Sequence, residues 1–276
     1  VCYNDIRSYV ETLRQALGKP YPDYEAIGLK DNNGNHLQLS PHLLQIENEF
    51  YSTVRPKRVT HSGETPLSAL WERGVEYVEV RCVDLNPFQP LGIDREQMDF
   101  MDTFLLTCLL SQSPPTDNQE YHNILENQHR MVYHGRDPEL MLCDNQGERS
   151  VLEWGRTLFK EMTPVATLLD SHHQSNRYTT TLEKLAKRLD NPELTPSARI
   201  LKEMTETGQT YFKVAMNHAK QHREHFLSTE LPKDIAEQYR EMAAQSLQDQ
   251  QEIEAVDQQP FDKFLADYYQ QYNFPL

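Results

Sequence analysis

The chain has 276 residues, long enough for one large domain or two ordinary ones, each able to bury a sizeable core. Its 42 acidic residues against 27 basic ones leave a formal net charge of −15. That balance argues against a nucleic-acid footprint, because phosphate backbones call for basic patches, and against an anionic membrane surface.

Four cysteines, Cys2, Cys82, Cys108 and Cys143, lie far apart and form no CxxC pair, which reads as reduced thiols rather than a disulfide framework. No apolar run reaches the roughly 20 residues of a membrane span. Together these features predict a cytoplasmic protein.

In chain order, Ile6, Tyr9, Val10, Leu13 and Leu17 follow a helical period, and Gly18-Lys19-Pro20 is a stop signal. Residues 27–39 predict a hairpin around Asp31-Asn32-Asn33-Gly34, where Asn-Gly supplies the positive φ of a tight turn. Residues 43–58 fit a helix and a strand alike, but Pro56 disfavours a helical Arg55, so extended structure is expected from about Phe50. On that reading Glu47, Glu49, Tyr51, Arg55 and Lys57 share one polar face. A short helix over 66–73 would end at Gly74 and lead into a second strand able to pair with the first.

That second strand, within GVEYVEVRCVDLNPF (74–88), alternates strictly. Tyr77, Glu79 and Arg81 fall on one side and Val78, Val80 and Cys82 on the other, so the apolar row can bury. The polar row presents a carboxylate and a guanidinium about 7 Å apart along the strand. A carboxylate suits Mg²⁺ and an arginine fork suits phosphate. The same alternation also fits a half-solvated sheet carrying ordinary surface charges, and spacing alone leaves both readings open.

After Asp94 the pattern turns helical. Asp94 can cap a helix with the apolar stripe Met98, Met101, Phe104, Leu105, Cys108 and Leu109. Pro114-Pro115 breaks the chain, and further helices are predicted over 120–133, 150–170, 175–189, 196–207, 208–227 and 232–256. The last of these reads as a solvated surface helix, and the aromatic residues that follow it could dock or stay loose. The expected division is therefore 1–93 and 94–276.

His218, His222 and His225 share a helix face, but without an HExxH signature they read as a polar face rather than a zinc site, as does His172-His173. Glu252, Glu254 and Asp257 read as solvated charge. No GxGxxG or Walker sequence occurs, so any ATP phosphates would have to be held by metal ions and side-chain cations.

Four long strings in order, LQIENEFY (44–51), VRPKRVTHSGETP (54–66), EYVEVRCVDLNPFQPLGID (76–94) and DNPELTPSARIL (190–201), resemble the proteobacterial glutamate–cysteine ligase family. The resemblance runs from the first residues to about residue 260 and corresponds to the second half of that family's chain. The start on Val1, directly in a helical pattern, agrees with a fragment.

The resemblance implies an α+β fold: part of a glutamine-synthetase-like antiparallel sheet followed by a mostly helical region. It implies Mg²⁺- and ATP-dependent joining of glutamate to cysteine through γ-glutamyl phosphate, with the missing N-terminal half as a partner and the piece inactive alone. By position, Glu79 would ligate Mg²⁺, Arg81 would contact the transferred phosphoryl group, and Tyr51 would line the cysteine pocket. Arg55 and Lys57 would be anion contacts, with Glu47, Glu49, Asp84 and Asn86 as weaker orienting candidates. The alternatives are a γ-glutamyl ligase using another amine, or a non-catalytic helical interaction module.

Overall fold

The structure, a computed structural model, describes residues 1–275. In chain order its elements are α1 (Ile6–Gly18), α2 (Pro22–Ile27), β1 (Val54–Lys57), α3 (Pro66–Arg73), β2 (Tyr77–Val80), α4 (Arg95–Leu110) and α5 (Asn118–His134). There follow β3 (Met141–Asp144), β4 (Gly147–Ser150), α6 (Val151–His173), α7 (Arg177–Asp190), α8 (Pro196–Thr207), α9 (Tyr211–Ser228), α10 (Lys233–Val256) and α11 (Phe261–Gln270). The strands form two antiparallel pairs, β1 with β2 and β3 with β4, so the fold is α+β. No described helix is long and apolar enough to cross a membrane.

The chain divides into two compact units, one of residues 1–83 with the segment from Leu231 onward, the other of residues 84–230. This departs from the division at residue 93. The helical tail returns to the first unit because its aromatic end has a buried place there.

In the first unit, α1 begins where the Asp5 carboxylate accepts from the Ser8 N–H at 2.8 Å. It buries Tyr9, Val10, Leu13 and Leu17 against Leu67 and Leu70 of α3 and against Tyr272 of the tail. Each large apolar side chain buried there contributes about 1.5–3 kcal/mol. Thr65 caps α3, and Gly74 ends it at φ 73°, a conformation that glycine adopts without strain.

Polar groups hold the tail in addition to packing. Gln271 donates from Nε2 to the Gly63 carbonyl at 2.8 Å and accepts from the Thr65 N–H at 2.9 Å. Tyr269 donates to the Gln45 carbonyl, Tyr272 to the Glu47 carboxylate, and Arg14 to the Phe274 carbonyl. Phe274 also stacks on Trp71. The expected hairpin over 27–39 is present as a turn with Gly34 at φ 87° and a single bridge, Lys30 to His36. None of the described residues of α10 is buried, as its composition predicts.

In the second unit, α4, α6 and α7 pack around Met162, Ala166, Tyr178 and Leu182, with Phe100, Phe104, Phe159 and Leu169 alongside. Asp170, at the end of α6, receives the Tyr178 and Thr179 N–H groups at 2.9 and 3.0 Å, which start α7. Burial pulls its carboxyl pKa up, but the hydrogen bonds from Thr179, Tyr178 and Ser175 outweigh that and leave it below the usual value.

The expected apolar stripe of α4 is only in part its inward face: Phe104 packs on the Met162 cluster, but the fully buried residues are polar. Asp99, Thr103 and Thr107 are buried, whereas Met98 is 48% and Leu109 78% exposed. The small threonines return their hydroxyls to Asp99 and Thr103 carbonyls one turn back, and Asp99 pairs with Arg177 at 3.3 Å. A polar face so satisfied can be buried without an unpaired group. The hairpin of β3 and β4 was not anticipated; its turn, Asn145-Gln146, is short and its strands have only four residues each.

Candidate functional site

The two strands expected to pair do so: β1 and β2 are antiparallel with Val54 opposite Val80, Arg55 opposite Glu79 and Lys57 opposite Tyr77. The register puts Arg55, Lys57, Tyr77, Glu79 and Arg81 on one face, as the alternation predicts. The Arg81 N–H extends the ladder by donating to the Thr53 carbonyl at 2.8 Å.

On that face Glu79 stands between two cations. Its Oε2 lies 3.1 Å from Arg81 Nε and 3.5 Å from Lys57 Nζ. The bond from Arg81 and the nearby Lys57 charge hold the Glu79 carboxyl below the usual carboxylate range, against a smaller opposing effect of desolvation. The Arg81 guanidinium in turn lies 5.5 Å over the ring of Tyr51, which is 78% exposed. Four of the residues singled out in the sequence, Tyr51, Lys57, Glu79 and Arg81, therefore form one accessible cluster. A carboxylate flanked by two cations and an aromatic face is suited to holding anions and a metal ion side by side.

Arg55 is not part of that accessible surface. It is 4% exposed, donates to the Glu47 carbonyl at 3.3 Å and lies 6.0 Å over Phe50. Its guanidinium is drawn into the first unit beside Tyr9, whose phenol is raised by burial and pulled back by the Arg55 charge. As an anion contact it is misplaced; here it anchors β1.

Glu47 and Glu49 do not sit on a strand but in a one-turn 3₁₀ helix, Glu47–Glu49. Glu47 is 1% exposed and accepts from the Leu67 N–H at 3.1 Å and from Tyr272. Glu49 accepts from the Gln45 N–H at 2.6 Å. Asp84 and Asn86 fall in the second unit. Asn86 is turn chemistry, its side chain accepting from the Phe88 N–H at 3.1 Å.

The apolar row departs most from expectation. Val54 is 37% and Val78 48% exposed, and Cys82 is exposed as well, so the row expected to bury lies open. The first unit packs its helices and its 3₁₀ turn elsewhere, and the buried arginine belongs to the polar face.

Sequence reasoning also missed two polar assemblies that involve residues of the strings quoted above. In the first unit, Glu64 receives Arg73 at two points, 2.6 and 2.7 Å, which brings its carboxyl down to about 2. Arg58 donates to the Arg73 carbonyl at 3.0 Å, so the segment RVTHSGETP is tied to the end of α3. In the second unit, Phe88 lies between the Arg199 guanidinium, 3.8 Å from its centroid, and the His218 ring at 5.0 Å. His222 Nε2 meets the Pro87 carbonyl at 2.9 Å and His218 meets Glu203 at 2.8 Å. Two of the three helical histidines thus pack on a loop instead of facing solvent. Among the described residues no group of three His, Cys, Asp or Glu side chains is arranged to hold a metal ion.

Comparison with known proteins agrees with these strings. The family described as glutamate-cysteine ligase matches residues 1–131. A glutamate–cysteine ligase of Saccharophagus degradans is 45% identical over 99% of this chain and 52% of its own length. One from Alcanivorax borkumensis is 41% identical over 98% of this chain and 52% of its own. A crystal structure of the Francisella tularensis glutamate–cysteine ligase in complex with AMP superposes with a TM-score of 0.89 at 32% identity, covering 97% of this chain and 53% of that one. The chain spans about half the length of the relatives it matches.

Proposed function

We infer that the chain belongs to the glutamate–cysteine ligase family as a piece spanning about half of its members, and propose that, joined to the other half, it links the γ-carboxylate of glutamate to the amine of cysteine at the expense of ATP. The observation that carries this is the open cluster of Glu79, Arg81, Lys57 and Tyr51, held on a ribbon within a chain matched almost throughout by ligases.

The reaction runs in two steps. A γ-carboxylate oxygen of glutamate attacks the γ-phosphorus of ATP, forming γ-glutamyl phosphate and releasing ADP. The amine of cysteine then attacks the acyl carbon, and phosphate leaves with the amide bond formed. Phosphoryl transfer of this kind needs positioning and charge stabilisation more than covalent help from the protein. Arg81 and Lys57 would balance charge on the transferred group. Tyr51, with its open ring under Arg81, would border the cysteine. Arg55 and Glu47 would act from behind by fixing the start of β1.

Mg²⁺ suits Glu79 as one ligand among several, since this ion takes one or two carboxylates and completes its shell with phosphate oxygens and water. The donor set of this chain is a single carboxylate already in contact with two cations, so further ligands would come from the other half. When bound, the ion would supply charge neutralisation between the phosphates. A cytoplasmic location follows from the same reading.

The amine is tested by ADP release. The chain fused behind the preceding half of the Saccharophagus relative should release ADP with glutamate and cysteine, and the chain alone should release none. Equal rates with an amine lacking the thiol would replace cysteine by another amine substrate. Turnover by the chain alone would remove the need for the other half.

A further inference from the structure

We propose that Tyr269 and Tyr272 of the tail are positioning residues for the ligase site: they hold the turn Glu47–Glu49, that turn holds Arg55, and Arg55 sets β1 so that Lys57 meets Glu79 of β2. This rests on the ligase reading and names what fixes the geometry of that same site from outside it.

The contacts begin behind the ribbon. Tyr269 donates to the Gln45 carbonyl at 2.8 Å, just ahead of the turn, and Tyr272 donates to the Glu47 carboxylate within it. The other carboxylate oxygen accepts from the Leu67 N–H at 3.1 Å, so the turn is gripped between the tail and the start of α3. Burial raises the pKa of both phenols, so both keep the proton they donate. A phenol donating to a carboxylate makes a charge-assisted bond, about twice as strong as a neutral one. The contact between Lys30 and Asp262, at 2.8 Å, also ties the tail to the first unit, but it leads to neither the turn nor the ribbon.

The hold passes to β1 through one side chain. The Glu47 carbonyl accepts from Arg55 Nη2 at 3.3 Å, while Arg55 Nε is buried and has no partner among the described residues. A buried guanidinium so sparsely bonded takes its place from the turn that receives it. Arg55 stands directly opposite Glu79 in the ladder. Two residues on, Lys57 Nζ reaches Glu79 Oε2 at 3.5 Å, a contact that a small shift of β1 would break. The strands have four residues each, and a two-stranded ribbon is marginal by itself, so its placement depends on outside support. A misplacement of about 1 Å, even from a change far from the chemistry, can cost about a hundredfold in rate.

Two measurements test this. Hydrogen exchange of the chain alone, read by NMR, compares the amides of the β1–β2 ladder, among them the Arg81 N–H bonded to Thr53, with those of α1. Tyr272→Phe keeps the ring and removes only the hydroxyl. It should speed exchange in the ladder about tenfold and leave α1 within about twofold, and Tyr269→Phe should act in the same direction. Lys30→Met should change neither. In the fused ligase, Tyr272→Phe should lower kcat about tenfold with the KM for ATP unchanged, and the loss should shrink to within about twofold in a Lys57→Ala background, where no lysine is left to misplace. Circular dichroism reports the folding of each variant, and Tyr269→Phe carries the test if Tyr272→Phe does not fold.

Ladder exchange unchanged in the folded variants, protection lost equally in α1, or a kinetic loss that persists beside Lys57→Ala would overturn the proposal, since a merely structural role gives the last two. The two readings fail separately. Selectively faster ladder exchange in a protein whose fused form makes no amide sinks the ligase reading and leaves the hold of the tail on the ribbon. Unchanged exchange and unchanged kcat in an active ligase sink the positioning role alone.

Discussion

Glu79→Gln in the assembled ligase is expected to lower γ-glutamylcysteine formation by at least about a hundredfold while leaving the fold unchanged. The magnitude is set by what metal-site changes cost: altering a residue that merely orients a ligand loses about 10–100-fold, and the ligand itself should lose no less. Glutamine has nearly the same shape but no charge, so it can neither ligate a hard cation well nor balance Arg81 and Lys57. The contact it gives up, Oε2 to Arg81 Nε at 3.1 Å, lies on an accessible face, and such pairs add little to stability. Turnover should therefore collapse without a matching loss of melting temperature. Rates within a few-fold of the unaltered enzyme would remove Glu79 from the metal role.

Glu47→Ala has the opposite signature: a large loss of stability in the first unit. Glu47 is 1% exposed; its carboxylate takes the Leu67 N–H near the start of α3 and the Tyr272 hydroxyl from the tail, and its backbone carbonyl accepts from the buried Arg55. Removing the carboxylate strands an N–H at a helix start and a phenol in one buried place, while the backbone carbonyl that Arg55 uses is kept. Each buried donor left without its acceptor costs about 1–3 kcal/mol. The burial of Tyr272 beside that carboxylate drives its phenol pKa well above the usual value, so Tyr272 remains the donor throughout the working range. Thermal or urea unfolding followed by tyrosine and tryptophan fluorescence measures the loss. A change below about 1 kcal/mol, the size expected of a single exposed hydrogen bond, would show that the cluster is not what holds the tail.

What was legible in the sequence was what local pattern controls. The period of Tyr9, Val10, Leu13 and Leu17 gave α1 and its buried face. Pro66 and Gly74 bounded α3, and the alternation through Glu79 and Arg81 brought the right side chains to one face of β2. The pairing of β1 with β2 was readable because both runs alternate and a short helix separates them.

What was not legible depended on partners distant in sequence. Arg55 looks like its neighbour Lys57 in the string VRPK, yet one is buried and the other is on the open face, because Glu47 and Phe50 close over only one of them. The stripe of α4 was misread because periodicity detects apolar residues, while Asp99, Thr103 and Thr107 bury by satisfying one another. The tail gave no sign of its destination: the Gln271 contacts with Gly63 and Thr65 span more than two hundred residues. The open valine row was misread for a further reason, since alternation says which residues can be buried together but not what covers them.

The account is tested most directly by following oxygen. With the chain joined to the other half of a ligase, glutamate carrying ¹⁸O in its γ-carboxylate, ATP and cysteine, the attack of that carboxylate on the γ-phosphorus predicts one ¹⁸O in each phosphate released, a transfer that Glu79→Gln should slow by at least about a hundredfold. Phosphate released without label while the amide forms would contradict the acyl-phosphate route and the role given to the polar row of β2.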